Sequence, residues 1–486
     1  MNLISAINDN IFQIITHAAR NIKQDCYVIG GYVRDFLLGV NKEKKDDAKK
    51  DVDILTIGEG IKLAKEVSKY ITPSPKINIF KRFGTAMLEY QNIKIEFVGS
   101  RKESYNICSR NPIIAPGSLQ DDQNRRDFTI NALAISLNKT NYGQLIDPFG
   151  GLLDLKKKIL RTPLNSDITY SDDPLRMIRA IRFATQLKFM IDKSSFQSIK
   201  KNKHRISIIS IERIVEELHK IILTKNPSVG ILLLYNSGLL QTILPELTLL
   251  QGIEEKYGYK HKDNFFHTLK VLDNISKNKH NTIWLRWAAL LHDIGKTNTK
   301  KFIPKIGWSF HAHELVGSRM ISNIFKRLKL PQGYPMKYVT KIIKNSSRPI
   351  ALISDNTSDS AIRRLLFDMG DDLDDLIRLC VADITTKNIE KETTYKKNFF
   401  LLVRRIKKLE QQDRIKNWKS PISGNDIMNA FDITPCKTIG IIKNYIKESI
   451  LEGRIYNEYH SAYLMMLKKG DELGLKRKIS NGNVVI

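Results

Sequence analysis

The hydrophobic pattern changes period once along this chain, and that change constrains the fold more than any other feature. Up to about residue 150, short β-branched runs at 26–29, 52–57, 86–90 and 94–98 are separated by Gly, Pro and polar turns, as in a small sheet with helices. After Gly150 and Gly151, and throughout from Asp173, apolar residues recur every three or four positions with few strand signals, which is the helical period. The pattern predicts an α+β chain: a small mixed-sheet head followed by an elongated, all-helical body. Its 486 residues suit roughly three structural units. We expect a head over 1–155, a helical neck over 156–255, a helical domain with a candidate metal site over 256–390, and a helical tail over 391–486. The segments 256–264 and 298–310 read as joints or site-forming loops, and 41–50, rich in Lys and Asp, as a surface loop.

Charge narrows the partners. Lys and Arg outnumber Asp and Glu by 79 to 51, a formal +28, and such an excess attracts polyanions by neutralising phosphates. RNA or DNA is the leading partner class, although a lysine-rich background composition would give the same sum. The most apolar stretch, 229–250, is interrupted by Asn236, Gln241, Pro245 and Glu246, so it reads as two buried helices and not as a bilayer crossing of about 20 apolar residues. With Asp9 and Asp25 near the N-terminus and no basic start before an apolar run, a cytoplasmic protein with no membrane partner and no obligatory protein partner is expected. The cysteines, Cys26, Cys108, Cys380 and Cys436, show no CxxC spacing. That argues against a disulfide framework or zinc ribbon and for buried thiols.

The head carries the chemistry-bearing motifs. An apolar run enters Gly30 and Gly31 and continues as a helix with Arg34; glycines there let backbone amides approach a phosphate, and the helix N-terminus favours anionic charge. A plain tight turn has the same sequence. Asp51 and Asp53, alternate residues of a strand, project to one face. Two carboxylates so placed can hold magnesium for phosphoryl transfer, and Glu96 is a candidate third; solvated strand-end acids are the alternative. Arg125 and Arg126 can engage phosphates, with Asp127 placed to hold one of them, or the three form a surface salt-bridge cluster. In 172–183, Pro174 suits a first helical turn with Asp172 or Asp173 as N-cap. Arg176, Arg179 and Arg182 form a basic stripe while Leu175, Ile178, Ile181 and Phe183 face inward. Asp173 and Arg176 are spaced to touch and to present acceptors and donors as a nucleobase edge does. An exposed amphipathic helix is the alternative.

In their order, these stretches resemble the bacterial CCA-adding tRNA nucleotidyltransferase and poly(A) polymerase family of the polymerase-β-like superfamily, over about residues 22–220. The match takes in Gly30 to Asp35, Asp51 and Asp53, the run Arg82, Phe83, Gly84, Thr85, the RRDFTINA stretch at 125–132, the DPFGG stretch at 147–151, and Asp173 to Arg176. The resemblance implies that Asp51 and Asp53 are catalytic and bind Mg2+. It implies nucleotide binding by Gly30, Gly31, Arg34, Arg125, Arg126, Asp127 and Asn131. Asp173 and Arg176 would then pair with incoming CTP or ATP as a protein template, with Arg179 and Arg182 on the nucleotide or its phosphates. The expected reaction is addition of CMP and AMP to the tRNA 3′ end. Poly(A), CC-only or A-only addition shares these motifs. The family motif often begins with Glu where Asp172 stands, and the connection from Asp35 to Asp51 is longer than usual.

The body supplies a second constellation: His267, then His292 and Asp293, then His313, then Asp383. Adjacent His and Asp on a helix, with a distant His before and an Asp after, offer nitrogen and oxygen ligands to a divalent metal, although buried structural histidines are common. The set resembles the HD phosphohydrolase superfamily, which makes the 256–390 unit an HD-type domain. It implies His267, His292, Asp293 and Asp383 as ligands of a divalent transition metal. Related enzymes often carry a further His in a stretch ending Arg-Pro-Ile; residues 345–350 lack it, which points to a mononuclear or degenerate site. A chain that is chiefly a metal phosphohydrolase with an RNA-binding head is the competing function. The basic helices after Lys391 are expected to grip RNA.

Overall fold

The computed structural model describes residues 1–40, 50–81, 84–104, 113–353, 357–386, 388–413, 416 and 418–478. The 41–50 segment therefore lies outside the described residues except for Lys50, as do Arg82, Phe83 and Cys108. The chain divides into two compact units, Met1–Thr248 and Leu249–Ile486.

The first unit is built on a seven-stranded mixed sheet of order β3-β4-β5-β2-β1-β8-β9. Its strands are β1 (Cys26–Ile29), β2 (Lys50–Thr56), β3 (Asn78–Phe80), β4 (Thr85–Tyr90), β5 (Ile93–Gly99), β8 (Ala134–Ser136) and β9 (Leu145–Ile146). A separate antiparallel pair, β6 (Arg101–Ser104) and β7 (Ile113–Pro116), follows β5. Central β2 runs antiparallel to β1 and parallel to β5. Val52, Ile54, Ile95, Phe97 and Leu88 are buried from alternate positions, as a half-covered sheet requires, and the helix Gly60–Ser68 buries Leu63, Ala64 and Val67 over β4 and β5.

From Gly151 the unit becomes helical, apart from the short parallel pair β10 (Ile159–Leu160) and β11 (Met190–Ile191). The helix Leu175–Leu187 buries Leu175, Ile178, Ile181 and Phe183 and ends at Lys188 in the left-handed conformation. It packs against Ile211–Ile222 and Pro227–Ser237. The apolar stretch expected as two helices forms three, Pro227–Ser237, Leu239–Ile243 and Pro245–Thr248, because Gly238 and Pro245 both interrupt it. No helix among the described residues is long and apolar enough to cross a membrane.

The second unit is mainly helical, with the helices Asn264–Ser276, Ile283–Leu291, His313–Arg327, Tyr334–Lys344, Asp359–Met369 and Leu373–Asp383 around buried Phe265, Trp287, Leu290, Ile321, Phe325 and Ile342. The segments read as loops instead contain two hairpins, β12 (Glu255–Lys256) with β13 (Tyr259–Lys260), and β14 (Lys301–Ile303) with β15 (Gly307–Ser309). Strands of two or three residues are too short to leave a period-two signature. The last helices, Gly424–Phe431, Lys437–Leu451 and Tyr459–Glu472, share a core of their own around Ile427, Phe431, Ile446 and Met466. Cys26 and Cys380 are buried thiols, as expected, whereas Cys436 is exposed because it sits at the start of Lys437–Leu451.

Candidate active site and second metal centre

Alternation along β2 puts Asp51 and Asp53 on one face, with Asp51 exposed and Asp53 half-buried. The parallel register sets Glu96 of β5 opposite Asp53 and Lys94 opposite Asp51. Burial pushes the Asp53 carboxyl above its ordinary value; the Arg126 charge opposes this and the Asp51 charge adds to it. Glu96 is raised too, first by burial and then by Asp53. Carboxyls that destabilise one another's charged forms in this way fit a hard divalent cation, which oxygen ligands hold and whose charge relieves the repulsion.

The glycine turn meets the same point. β1 ends at Ile29, opposite Asp53, and Gly30 follows with φ +83°. A Cβ on Gly30 would lie 3.0 Å from Arg126 Nη1 and 3.1 Å from Asp53 Oδ2, so a side chain there would crowd both. A cavity of about 500 Å3 opens over this end of the sheet, lined among others by Asp53, Glu96, Lys94, Arg101, Arg125 and Arg126.

The arginine pair is held differently from the sequence expectation. Asp122, fully buried, accepts from Arg125 Nε at 2.9 Å and from Arg126 Nε at 3.0 Å, because the helix Leu119–Asn124 places it three and four residues before them. Asp127 holds neither; it accepts from Arg179 Nη2 at 2.6 Å and from Asn131 Nδ2 at 2.9 Å. Burial pushes the Asp127 carboxyl up, yet the Arg179 charge and the Asn131 hydrogen bond outweigh it and bring it down to about 2. Asn131 also accepts from Arg34 Nη1 at 2.7 Å, while Arg34 Nε donates to Asp35 at 2.8 Å. Gly31 opens the helix Gly31–Leu37 that carries Arg34.

The arginine helix is no solvated stripe. It begins at Leu175, directly after Pro174, and Asp173 Oδ1 accepts from the Leu175 amide at 3.2 Å. Arg176 is buried and its Nη2 donates to the Arg125 carbonyl at 2.6 Å. Asp173 and Arg176 are thus each held by another partner, one on either side of Pro174. Arg182 Nε lies 2.6 Å from Glu217, a buried residue of Ile211–Ile222. The guanidiniums of Arg182, Arg34 and Arg179 lie 3.9, 4.9 and 5.5 Å from the Phe183 ring centroid, within cation–π range. The structure therefore joins Arg34, Asp127, Asn131 and Arg179 into one network. Sequence reasoning missed Asp122 and Glu217 as the anchors. The spacing of Asp122 before the arginines was a usable signal; nothing local marked Glu217.

In the second unit, His267 on Asn264–Ser276, His292 and Asp293 after Ile283–Leu291, and Asp383 at the end of Leu373–Asp383 converge. His267 Nε2 lies 2.8 Å from Asp383 Oδ1 and 3.6 Å from Asp293 Oδ2; His292 Nε2 lies 3.5 and 3.4 Å from the same two atoms. The ligand atoms of His267, His292 and Asp293 all fall within 4.8 Å of one another. The outer nitrogens are committed, His267 Nδ1 to Thr385 Oγ1 at 2.9 Å and His292 Nδ1 to the Ala289 carbonyl at 2.8 Å, which turns both Nε2 atoms inward. His292 Nε2 and Asp383 Oδ1 are buried atoms, and together with His267 Nε2 and Asp293 Oδ2 they face one another at 2.8 to 3.6 Å. Nitrogen and oxygen ligand atoms so converged fit a divalent cation. His313 Nε2 is 3.4 Å from Asp293 Oδ1, and Asp293 also pairs with Lys296 at 2.7 Å. In the stretch without histidine, Arg348 is tied to Asp368 and Asn345.

A mixed sheet carrying a glycine turn, two carboxylates on a central strand and a third on its parallel neighbour suits metal-assisted nucleotidyl transfer. Residues 26–161 match the poly A polymerase head domain, 188–250 the probable RNA and SrmB-binding site of polymerase A, and 248–387 the HD domain. The chain is 32% identical over 349 residues to the A-adding tRNA nucleotidyltransferase of Deinococcus radiodurans, covering 70% of this chain and 77% of that one. It is 31% identical over 321 residues to the multifunctional CCA protein of Mannheimia succiniciproducens, covering 63% and 71%. It therefore belongs to the tRNA nucleotidyltransferase and poly(A) polymerase family. Of the A-adding enzyme of Aquifex aeolicus, 34% identical over 288 residues, it spans only 32%. Among solved structures, a CCA-adding enzyme in complex with CTP shares the fold at a TM-score of 0.63 and 22% identity, covering 97% of this chain and 98% of that one.

Proposed function

We propose that this enzyme completes the 3′ end of tRNA, transferring CMP and AMP from CTP and ATP with release of pyrophosphate. The observation that carries it is the register that seats Asp53 beside Glu96, with Asp51 on the same strand and Gly30 against Asp53. Asp51, Asp53 and Glu96 would hold Mg2+; a bound ion lowers the pKa of the attacking 3′ hydroxyl and neutralises the triphosphate. Arg125 and Arg126, pre-set by Asp122, present guanidinium edges to the phosphates. Asp173 and Arg176, fixed on either side of Pro174, offer an acceptor and a donor to the base. Arg34, Asp127, Asn131 and Arg179 hold that frame. A tRNA substrate is compatible with a cytoplasmic location.

Supplying purified protein with tRNA lacking its 3′ terminus and labelled CTP and ATP tests the reading; two C additions followed by one A are expected, and failure of both nucleotides to enter defeats it. A-only addition is a second reading, favoured by relatives named A-adding enzymes. It predicts that tRNA ending in CC accepts AMP while tRNA lacking all three residues accepts no CMP. We assign to the second unit a mononuclear divalent transition-metal site on His267, His292, Asp293 and Asp383.

A further inference from the structure

The two hairpins of the second unit display aromatic rings in a continuous series. Tyr257 sits at the tip of the first hairpin, 81% exposed. Its ring lies 5.7 Å from Phe302, which lies 5.4 Å from Trp308. Trp308 lies 5.3 Å from His261, and His261 lies 5.7 Å from Phe310, all three contacts from Phe302 onward being edge-to-face between half-buried rings. Phe310 ends the series beside the metal centre, with Lys296 Nζ, the partner of Asp293, 5.6 Å from its ring centroid.

The contact with Phe302 covers little of the tip ring. Tyr257 and Gly258 have φ +50° and +79°, the left-handed pair of a two-residue hairpin turn, where Asn, Asp or Gly at the first position is unstrained. A tyrosine there carries backbone strain and leaves its ring in water. The second hairpin is shaped around the first: at Gly307, φ +98°, a Cβ would meet the Tyr259 ring at 2.8 Å.

Lysines outnumber acids around the rings. Lys256, Lys262, Lys301 and Lys305 are exposed, and Lys256 Nζ lies 5.0 Å from the Phe302 ring centroid. Of the neighbouring lysines, Lys260 and Lys300 are neutralised by Glu255 and Glu254. The other four are left to face an anion. An exposed tyrosine ring at the tip, backed by half-buried aromatic rings and flanked by unneutralised lysines for phosphates, is the chemistry of a single-stranded nucleic-acid site.

We propose that the two hairpins bind single-stranded RNA, stacking unpaired bases from Tyr257 toward Phe310 and so bringing a strand to the His267, His292, Asp293 and Asp383 centre. The assignment rests on the second unit alone and is independent of nucleotide transfer at Asp51 and Asp53.

Photo-crosslinking of the full chain to a hexanucleotide carrying 4-thiouridine, without nucleoside triphosphates, tests it by peptide mapping. Adducts are expected on peptides spanning 255–262 and 301–310, separately from any on head peptides. Tyr257→Gly suits the turn better than tyrosine, so its hairpin stays folded while hairpin adducts fall about tenfold, as loss of one stacked base implies. Tyr257→Phe keeps them, and the same RNA in a duplex gives none. Absence of hairpin adducts from the native protein, or an unchanged yield in Tyr257→Gly, overturns the proposal. Head adducts and nucleotide incorporation report on the transferase reading independently.

Discussion

Asp127 accepts two hydrogen bonds from Arg179, at 2.6 and 2.9 Å, across 52 positions of sequence. This pair bolts the 125–131 stretch onto the arginine helix. Asp127→Asn keeps an acceptor but removes the negative charge that faces Arg179. A loss of about 2 kcal/mol is expected, below the usual figure for a buried pair because Arg179 is partly solvated, and is read from denaturant unfolding.

The same carboxyl makes stability depend on acid. Its pKa in the folded protein, about 2, lies below the roughly 4 of an unfolded aspartate. A depressed folded value means the stabilisation is complete above about pH 4 and is lost as pH falls toward 2. The wild type should lose stability more steeply than Asp127→Asn across that window in pH-dependent unfolding; equal slopes would count against the pair.

Asp53 has the opposite sign. Burial raises its carboxyl, so its ionised form opposes folding at neutral pH. Asp53→Asn should cut nucleotide incorporation by about a thousandfold without lowering the unfolding midpoint. Mg2+ should raise the midpoint of the wild type, as a ligand of the native state does, but not that of the variant. A destabilised variant would mean Asp53 is structural.

Gly30→Ala tests the turn. Its Cβ would crowd Arg126 and Asp53, and its backbone at φ +83° and ψ −134° belongs to a region that nearly only glycine enters, at a cost of roughly 1–3 kcal/mol. Both nucleotide KM and kcat should worsen in steady-state assays. Unchanged kinetics would remove the turn from the site.

His292→Ala separates the two centres. Bound transition metal measured by elemental analysis should disappear, because His292 Nε2 is a buried inward-facing donor, while nucleotide incorporation should stay within about twofold. Loss of incorporation in a folded variant would show that the centres are coupled.

The sequence made some of these relations readable and not others. Asp51 and Asp53 declared their common face through strand alternation, and their proximity to Glu96 followed once β2 and β5 ran in parallel. The arginine helix was legible as a helix but not as to what its arginines touch: Asp127, expected to hold Arg125 or Arg126, lies with Arg179, and Asp122 holds the pair. Helical spacing predicts partners three or four residues away, which suffices for Asp122 and fails for Asp127 with Arg179 or Glu217 with Arg182. The hairpins at 255–260 and 301–309 were hidden for another reason, since their strands are shorter than any period that marks one.

The parallel pairing of Asp53 with Glu96 also decides where this enzyme can change length. Side chains alternate faces at each strand position, so one residue inserted within β2 or β5 would turn a carboxylate to the opposite side of the sheet. A segment added before Lys50 shifts no register. The chain can therefore take up insertions upstream of Asp51, while the seven residues of each strand are closed to them.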